Sequence, residues 1–354
     1  MGSHSDWLDA MSPWPRDGFG LDRMRALLAL VGDPQLSYPA IHVVGTNGKS
    51  TATVTIEQLL LSEGLSVGST ISPHVLGWSE RIRVDGEEAD FEEAVARVRP
   101  AAEQIGATQF EAVTAAALAV FEAADVDVAV VEAGLGGRHD ATNVLRTRVV
   151  LLTNVGLEHT DVLGDTLEAI ATEKLAVAPE DAVVVLPDET YVHLVPGREV
   201  RLGGVRTAAE AFVGHEITAY PTVSLPARFE RREGEVRDGA HNPDGARHLV
   251  EQLDRDDFTI VASILGDKDV DAILTALRRA GSRFVATSSS SPRALAADEL
   301  GRRARAWFEH VEVVDDPVAA VARAHELGEP VLVTGSLYLL GDLARAEQRS
   351  AWRV

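Results

Sequence analysis

The chain contains no cysteine, which excludes disulfide bonds, thiolate nucleophiles and cysteine-ligated metals. It also has no apolar run near the ~18 residues that a membrane-spanning helix requires. Its opening residues, MGSHSDWLDAMSPW, have neither the basic nor the apolar segment of a secretory signal. We therefore expect a cytoplasmic protein without a membrane partner.

Basic residues are also outnumbered by acidic ones, and the net charge of the 354-residue chain is −22. Nucleic acids are bound by clustered lysine and arginine, so a nucleic-acid partner is not expected. Small anionic ligands are compatible with an acidic protein, since bound metal ions can supply the largest local positive charges. Lysine is the rarer cation, with thirty arginines against three lysines, at Lys49, Lys174 and Lys268.

Apolar runs alternate with stretches of helical spacing through the first half of the chain. Strands are predicted at 41–44, 65–71, 126–131, 149–152 and 182–186, and helices at 51–63, 91–104 and 109–124. Strands that alternate with helices predict an α/β fold, with a mostly parallel sheet and helices on both of its faces.

The pattern weakens after Lys174 and restarts beyond the Pro-containing segment TAYPTVSLPAR, residues 218–228, which is the predicted linker. Later strands are predicted at 259–265, 283–287, 311–314 and 330–334, and helices at 246–253, 270–279, 297–307 and 317–326. We predict an N-terminal P-loop domain over residues 1–225 and a smaller Rossmann-like α/β domain over residues 226–354.

The segment IHVVGTNGKST, residues 41–51, resembles a buried strand that runs into a phosphate-binding loop. Its glycines let backbone N–H groups turn toward phosphates, Lys49 would reach the terminal phosphates, and Ser50 or Thr51 would bind Mg²⁺. The usual loop has four residues between its glycines and this one has two, so an ordinary strand–turn–helix junction is the alternative. The strand before it and the helix after it favour nucleotide binding.

Two further polar groups follow predicted strands. Glu132 ends the strand VAVVE and is followed by AGLGG, and His159 lies just beyond the strand at 149–152. Ligands of open α/β sheets bind outside the carboxyl ends of the strands, so both side chains are candidate metal ligands. The alternatives are a carboxylate that caps a turn and a packed or surface histidine.

Asp238 and His241, in DGAHNP after the linker, form either a second site or a turn.

The sequence resembles the folylpolyglutamate synthase / dihydrofolate synthase family, a branch of the ATP-dependent Mur-type ligases, in segments that include IHVVGTNGKST, ISPHVLGWSERIRVDGE, VDVAVVEAGLGGRHDATNV, NVGLEHTDVLGDTLEAIATEKLAV, DGAHNPDGAR and VLVTGSLYLLGDL. The resemblance implies that ATP phosphorylates a carboxylate of a folate or dihydropteroate acceptor. The amino group of L-glutamate then attacks the acyl phosphate and expels phosphate. These small molecules are the expected partners, and we expect a monomer.

The same resemblance implies roles for individual residues. Nucleotide contacts are implied for Gly45, Thr46, Asn47, Gly48, Lys49, Ser50 and Thr51, and in the second domain for Arg228, Asp238, His241, Ser336 and Tyr338. Two Mg²⁺ ions are implied, with ligands among Ser50, Thr51, Ser72, Glu132 and His159. Positions near the acceptor correspond to Ser72, Pro73, His74 and Asp140. The implied catalytic residues are Lys49, Glu132, His159 and Lys174.

Lys174, in EKLAV, matches a family lysine that is carbamylated by CO₂. Arginine cannot take its place, because its guanidinium stays protonated. The alternative is a lysine on a helix surface, paired with Glu173 or a neighbouring acid. Lys268 matches a family position to which we assign no role.

The sequence departs from the family in three places. Ser50 follows Lys49 directly where the family usually has a further glycine, ARFE replaces the usual PGRFE, and residues 186–225 are shorter than the corresponding stretch. A family asparagine expected to help hold the nucleotide has no counterpart. Two alternative functions follow: a Mur-type ligase with another carboxylate acceptor, and a nucleotide-binding regulatory protein with reduced turnover.

Overall fold

The structure is a computed structural model that describes residues 3–15 and 18–351. The chain forms two compact units that divide between Val223 and Ser224. The dividing point falls within the segment 218–228, where irregular structure ends in an isolated bridge between Leu225 and Arg228. In the described ranges, no helix has both the length and the apolar character needed to cross a membrane.

A sheet of eight strands, counted over the described residues, forms the centre of the first unit. The strands are β1 (Ala40–Val44), β2 (Val67–Thr70), β3 (Ile82–Val84), β4 (Glu87–Glu88), β5 (Val128–Glu132), β6 (Thr147–Leu152), β7 (Val183–Leu186) and β8 (Glu199–Leu202). Their order is β4-β3-β2-β5-β1-β6-β7-β8, and all neighbours from β2 to β8 pair in parallel. The antiparallel strands β3 and β4 form one edge.

Helices pack on both faces of this sheet. They are α1 (His4–Asp9), α2 (Asp22–Leu30), α3 (Lys49–Ser62), α4 (Phe91–Ile105), α5 (Gln109–Ala123), α6 (Thr160–Leu163), α7 (Leu167–Leu175) and α8 (Val205–Val213). Val128 and Val130 of β5 pack in a core with α3 and α8, whereas Ala129 and Val131 pack in a core with α4 and α5. Successive side chains of a strand point to opposite faces, so the prediction of a parallel sheet covered on both sides is confirmed.

The second unit has its own sheet and its own core. Its strands are β9 (Glu230–Arg232), β10 (Glu235–Arg237), β11 (Thr259–Ala262), β12 (Arg283–Ala286), β13 (His310–Val313) and β14 (Val331–Thr334), in the order β13-β12-β11-β14-β10-β9. All pairs are parallel except the edge pair β10 and β9. The helices are α9 (Pro243–Gln252), α10 (Val270–Leu277), α11 (Ala297–Ala304), α12 (Pro317–Leu327) and α13 (Leu337–Ala351).

The sequence prediction missed five strands, namely β3, β4, β8, β9 and β10. Strands β3 and β4 are joined by Asp85 and Gly86, which have φ of 51° and 87°. An Asp-Gly pair between two short runs is a strong hairpin signal, because both residues tolerate positive φ. The predicted strand 259–265 ends at Ala262, and the predicted helix 297–307 ends at Ala304.

Candidate functional site

Three neighbouring strands of the first unit end at the same edge of the sheet. β1 lies between β5 and β6, with Val43 opposite Glu132 and Val44 opposite Leu152. The phosphate loop, defined here as residues 45–49, follows β1, and the segment that carries His159 follows β6. These groups therefore leave the sheet at its carboxyl edge, where ligands of open α/β sheets bind.

The backbone of the phosphate loop requires both of its glycines. Gly45 has φ of 149°, and a Cβ built there would overlap the side chain of Thr153. Gly48 has φ of 79° and lies at the N-cap of α3, so this helix begins at Lys49 and not at the predicted residue 51. The N-terminus of a 14-residue helix thus opens at the loop, with backbone N–H groups suited to an anion.

Lys49 folds back over the phosphate loop. Its Nζ donates to the carbonyl oxygen of Gly45 at 3.0 Å and to that of Thr46 at 3.1 Å. The ammonium group is therefore held above the helix N-terminus, where it can neutralise phosphate charge. This arrangement fits a nucleotide phosphate.

The segment after β6 anchors the phosphate loop from the side. The backbone N–H of Asn47 donates to Oδ1 of Asn154 at 2.9 Å, and the N–H of Gly156 donates to Oγ1 of Thr46 at 3.0 Å. Thr153 Oγ1 donates to the carbonyl oxygen of Asn47 at 2.8 Å. Sequence analysis gave Thr153 and Asn154 no role, although polar residues directly after a buried strand were a usable signal.

The two hydroxyls proposed for metal binding differ in environment. Ser50 is buried, whereas Thr51, on the next position of α3, is exposed. Glu132 is 3% exposed, and its Oε2 accepts a hydrogen bond from the backbone N–H of Ser72 at 2.9 Å. Ser72 follows β2, which pairs in parallel with β5, so it lies at the same edge. Hard oxygen donors such as these suit Mg²⁺.

His159 is the N-cap residue of the short helix α6 and has a left-handed conformation, with φ of 45°. Over the parts of the chain that the structure describes, no three His, Asp or Glu side chains are gathered as a metal site. A metal at this edge would therefore need the serine or threonine hydroxyls beside Glu132 and His159.

Lys174 is one of the largest fully buried side chains, with 1% of its surface exposed. Its Nζ donates to the carbonyl oxygen of Gly45 at 2.8 Å and forms an ion pair with Glu158 Oε1 at 2.7 Å. The alternative of a lysine on the helix surface, paired with Glu173 or a neighbouring acid, is wrong because Lys174 is buried. Its acid partner is Glu158, and Glu173 pairs with Arg138 at 3.1 Å. Burial lowers the pKa of the Lys174 ammonium, and the Glu158 carboxylate offsets this only in part.

Glu158 is a site residue that sequence analysis missed. Burial acts to raise its pKa, but the Lys174 and Lys49 ammonium groups outweigh burial and hold the pKa below its usual value. The carboxylate is therefore ionised beside two of the three lysines. Its place next to His159 after a strand was the available signal.

The segment between β2 and β3 carries Ser72, Pro73 and His74. Nε of Arg81 donates to Nδ1 of His74 at 3.0 Å, and the His74 ring lies 4.5 Å from the Trp78 ring between centroids. Arg81 also lies over the Trp78 ring, 4.5 Å from its centroid. An aromatic and cationic surface of this kind suits a flat, anionic acceptor. Sequence analysis had not assigned Trp78 or Arg81 to the site.

Asp140 is buried in the loop that follows β5, with 5% of its surface exposed. Oδ2 accepts from the backbone N–H of Leu135 at 2.7 Å. Burial raises the pKa of the Asp140 carboxyl, although hydrogen bonds from Leu135 and Thr142 oppose the rise. A Cβ on Gly137 would lie 2.5 Å from the carbonyl oxygen of Lys174, so this loop packs directly on the end of α7.

Four of the five predicted residues of the second unit follow β10 or β14, which are parallel neighbours, whereas Arg228 precedes β9. Asp238 follows β10, and its carboxylate accepts from the N–H groups of Phe229 at 2.7 Å and Ala240 at 2.8 Å. Burial raises the pKa of this carboxyl despite those bonds. Ser336 follows β14 and is buried, and its Oγ accepts from the N–H of Tyr338 at 3.1 Å.

The other predicted residues of the second unit lie nearer the surface. Arg228 stands between Ala227 and Phe229, both of which have positive φ. Nδ1 of His241 donates to the carbonyl oxygen of Gly239 at 2.8 Å, which fixes its tautomer if the ring is neutral. Tyr338 is 46% exposed.

Lys268, on the loop after β11, pairs with Asp267 at 3.4 Å. That pairing gives Lys268 no evident part in the chemistry.

Comparison with known proteins matches each of the two units to a domain of the Mur ligases. The Mur ligase middle domain matches residues 43–198, and the glutamate ligase domain of Mur ligase matches residues 227–337. The dihydrofolate synthase/folylpolyglutamate synthase of Mycobacterium tuberculosis is 32% identical over 392 aligned positions, which cover 85% of this chain and 80% of the relative.

Two solved structures extend the comparison. FolC of Escherichia coli in complex with DHPP and ADP is 25% identical with a TM-score of 0.88, and the match covers 100% of this chain and 99% of that one. The bifunctional folylpolyglutamate synthase/dihydrofolate synthase of Yersinia pestis, complexed with AMPPNP and a Mn ion, is 26% identical with a TM-score of 0.86, covering 98% of each chain.

Proposed function

Because the chain belongs to the folylpolyglutamate synthase / dihydrofolate synthase family, we propose that it joins L-glutamate to a folate or dihydropteroate carboxylate through an amide bond. It is an ATP-dependent acid–amino-acid ligase of the Mur type. The single observation that carries the proposal is the edge of the first sheet, where Lys49 and Lys174 both donate to Gly45 of the phosphate loop and Glu132 ends the neighbouring strand.

The reaction has two steps. The acceptor carboxylate takes the terminal phosphoryl group of ATP and becomes an acyl phosphate, and ADP leaves. The glutamate amine then attacks the acyl carbon, loses a proton and expels phosphate. The protein contributes mainly positioning and charge neutralisation. Lys49 and the backbone N–H groups of the phosphate loop hold the phosphates.

Divalent metal is proposed at the same edge, with ligands among Ser50, Thr51, Ser72, Glu132 and His159. The buried Glu132 carboxylate and its neighbouring hydroxyls support this assignment, and the complex of the Yersinia pestis protein with AMPPNP and Mn agrees with it. Mg²⁺ would neutralise phosphate charge there. Two ions, as the family resemblance implies, are part of the proposal.

Carbamylation of Lys174 is also proposed. CO₂ adds to the neutral amine, a proton is released, and a carbamate anion forms. The lowered pKa of the buried Lys174 favours the neutral amine. Glu158 opposes the reaction, because its carboxylate stabilises the ammonium form and would repel the carbamate. A nearby metal ion would remove that repulsion.

The second unit is proposed to contact the nucleotide through Arg228, Asp238, His241, Ser336 and Tyr338. The position of Asp238, His241, Ser336 and Tyr338 after β10 or β14 supports this role, and so does the match to a glutamate ligase domain, which includes Arg228. We assign the P-loop ATPase role to residues 1–225 and the glutamate-ligase role to residues 226–354. Ser72, Pro73 and His74 are assigned to the acceptor, beside Trp78 and Arg81.

A Mur-type ligase with another carboxylate acceptor is the second candidate function. The alignment with the Mycobacterium tuberculosis protein spans 392 positions, more than the 354 residues of this chain, so the relative contains residues that this chain lacks. A shortened chain is compatible with a changed acceptor. The non-catalytic candidate is a nucleotide-binding protein that has the same fold but reduced turnover.

The test is phosphate release and product mass with ATP and Mg²⁺. Dihydropteroate, folates and unrelated carboxylates are each combined with L-glutamate or another amino acid. We expect phosphate release only when a pteridine acceptor and L-glutamate are both present, with one glutamyl unit added to the product. Release with unrelated carboxylates would favour the second candidate, and release that needs neither substrate would indicate a nucleotide switch. A cytoplasmic location is also proposed, and the use of ATP supports it. Measuring the molecular mass of the active species in solution tests the proposed monomer.

A further inference from the structure

A glutamate that no part of the proposed mechanism uses lies on α3, the helix that begins at the phosphate loop. Glu57 is fully buried. Its Oε1 accepts a hydrogen bond from Oγ of Ser69 in β2 at 2.8 Å, and its Oε2 forms an ion pair with Nε of Arg83 in β3 at 3.2 Å. The side chain of Arg83 is 17% exposed. One carboxylate therefore joins α3 to two strands inside the first unit.

The two partners of this carboxylate lie opposite each other in the sheet. Ser69 pairs with Arg83 where β2 and β3 run antiparallel, and side chains of directly opposed residues share one face. The turn after β3 also packs on α3, because a Cβ on Gly86 would lie 3.2 Å from Nε2 of Gln58. Arg83 donates in turn to the carbonyl oxygen of Gly86. The inner face of α3 is thus joined to β2, β3 and the turn after β3 at neighbouring positions.

A buried ion pair of this kind is not needed to bury α3. Its neighbours Ile56 and Leu60 pack in an apolar core with Val67 of β2. Taking charges out of water costs free energy, and an apolar group of similar volume often stabilises a fold equally well or better. What the polar group adds is direction, since a hydrogen bond is strong only within a narrow range of distance and angle. The contact therefore fixes how α3 lies on β2.

The two elements carry candidate metal ligands at similar distances from this contact. α3 runs away from the carboxyl edge of the sheet, and Ser50 lies seven positions before Glu57, which is about 10 Å at the rise of a helix. β2 runs toward that edge, and Ser72 lies three positions after Ser69, which is at most about 10 Å of extended chain. The contact between Glu57 and Ser69 thus holds the two elements together about 10 Å behind the edge.

The end of β2 is also tied to the strand beside it. The backbone N–H of Ser72 donates to Oε2 of Glu132 at 2.9 Å, and Glu132 ends β5. A shift of α3 along or around its axis, relative to β2, would therefore change the separation of Ser50 from both of these residues.

We propose that Glu57, Ser69 and Arg83 are positioning residues that hold the start of α3 at the end of β2, and so set the spacing of the oxygen ligands offered to a divalent cation. The inference rests on the proposed function, because it takes those ligands from the proposed metal site. A displacement of about 1 Å in a catalytic arrangement costs up to roughly a hundredfold in rate.

The first test compares Ser69→Ala with Thr53→Val. Ser69→Ala removes the hydroxyl that contacts Glu57 and leaves the ion pair with Arg83 in place. Thr53→Val is the matched control, because Thr53 is a fully buried residue of α3 whose hydroxyl has no hydrogen-bond partner among the residues that the structure describes. The affinity for ADP is measured by isothermal titration calorimetry, once with Mn²⁺ and once with a chelator. The ratio of the two dissociation constants reports how much the metal tightens ADP binding.

We expect Mn²⁺ to tighten ADP binding in the wild type, and Ser69→Ala to lose about tenfold of that tightening. The affinity without metal should stay within about twofold of the wild-type value, because the phosphate loop itself is unchanged. Thr53→Val should match the wild type in both conditions. Full tightening in Ser69→Ala, an equal loss in Thr53→Val, or an equal loss with and without metal would each overturn the proposal.

A second comparison uses Glu57→Gln and Glu57→Leu. The amide oxygen of glutamine can still accept from the Ser69 hydroxyl, whereas leucine has no acceptor. The glutamine variant should keep more of the metal-dependent tightening than the leucine variant. Full tightening in Glu57→Leu would mean that apolar packing suffices and would contradict the proposal. Circular dichroism establishes that each variant is folded at the assay temperature, and Ser69→Ala carries the test if Glu57→Leu does not fold.

ADP binding requires neither acceptor nor glutamate, so its outcome is separable from that of the proposed function. If Ser69→Ala loses the metal-dependent tightening but the wild type forms no amide, the proposed function is wrong and the positioning role stands. If the wild type forms the amide but Ser69→Ala keeps the full tightening, the positioning role is wrong and the proposed function stands.

Discussion

The two units place polar residues at the same edge of a parallel sheet, but they hold those residues differently. In the first unit Lys174, Glu132 and Ser50 are 1%, 3% and 4% exposed, and the side chains of Lys174 and Glu132 are hydrogen-bonded to Gly45 and Ser72 at the ends of neighbouring strands. In the second unit Tyr338 is 46% exposed, and Arg228 and His241 are half-buried. The first site is built mainly of buried groups, whereas in the second unit Arg228, His241 and Tyr338 are accessible and only Asp238 and Ser336 are buried.

This difference separates stability from function. A buried charge whose partner is removed destabilises the fold, because it cannot be hydrated. An accessible side chain can be replaced with little effect on folding, since surface substitutions usually change the free energy of unfolding by less than about 0.5 kcal/mol. Substitutions of the buried site residues should therefore affect activity and stability together, and those of the half-buried or exposed site residues should affect activity alone.

The largest effect is expected from Lys49→Ala, which removes the cation from the phosphate loop. Turnover should fall by about 10³-fold or more, because charge on the phosphates is no longer neutralised. Phosphate release with saturating ATP, acceptor and glutamate measures the loss, and thermal unfolding is the control. Since Lys49 is only half-buried, the melting temperature of the Lys49→Ala variant should differ little from that of the wild type. Turnover within a few-fold of wild type would remove the loop from the mechanism.

The next effect concerns the buried Lys174. Lys174→Arg keeps the positive charge but cannot be carbamylated, and its larger guanidinium does not fit the contacts with Gly45 and Glu158. We expect turnover to fall by about 10²-fold and the melting temperature to drop. Lys174→Ala, tested with a small added carboxylate, is the matched variant, and partial rescue is expected. An active arginine variant ends the carbamate hypothesis.

Arg228→Ala tests the other half of the comparison. Because Arg228 is accessible, this substitution should raise the KM for ATP by about tenfold and leave the melting temperature within about 1 °C of the wild-type value. Arg279→Ala, on the same unit and far along the chain from any assigned site residue, is the control for removal of one arginine. A large loss of stability in Arg228→Ala would show that the second site is built like the first.

The smallest effect is a pH dependence of stability. His42 is fully buried in β1, where burial lowers its pKa to about 3, against about 6.5 when unfolded. The unfolded chain therefore takes up a proton first, and stability from this group is complete above pH ~6.5 and is lost as pH falls toward 3. The difference in unfolding free energy between wild type and His42→Gln should shrink by about 1.4 kcal/mol per pH unit below 6.5. A constant difference from pH 7 to 5 would contradict a buried neutral ring.

Much of the architecture was predictable, because the spacing of apolar residues and the length of apolar runs identify the strands of a parallel sheet directly. The place of Glu132 at the edge that carries the phosphate loop followed from topology alone. The partners of Lys174 did not, since Glu158 is 16 positions away and only the path of the chain after β6 brings it near. Glu57 was equally hidden, because a single glutamate in a helix carries no sign of what it contacts.

The burial of Lys174 also bears on how this protein can be probed in the laboratory. With three lysines in the whole chain, an amine-reactive reagent finds few targets besides the N-terminus. Lys174 is shielded at 1% exposure, whereas Lys268 is 20% exposed at its side chain and Lys49 is half-buried at the phosphate loop. Labelling of Lys49, measured against Lys268 as an internal reference, would therefore report occupancy of the phosphate loop without any engineered residue.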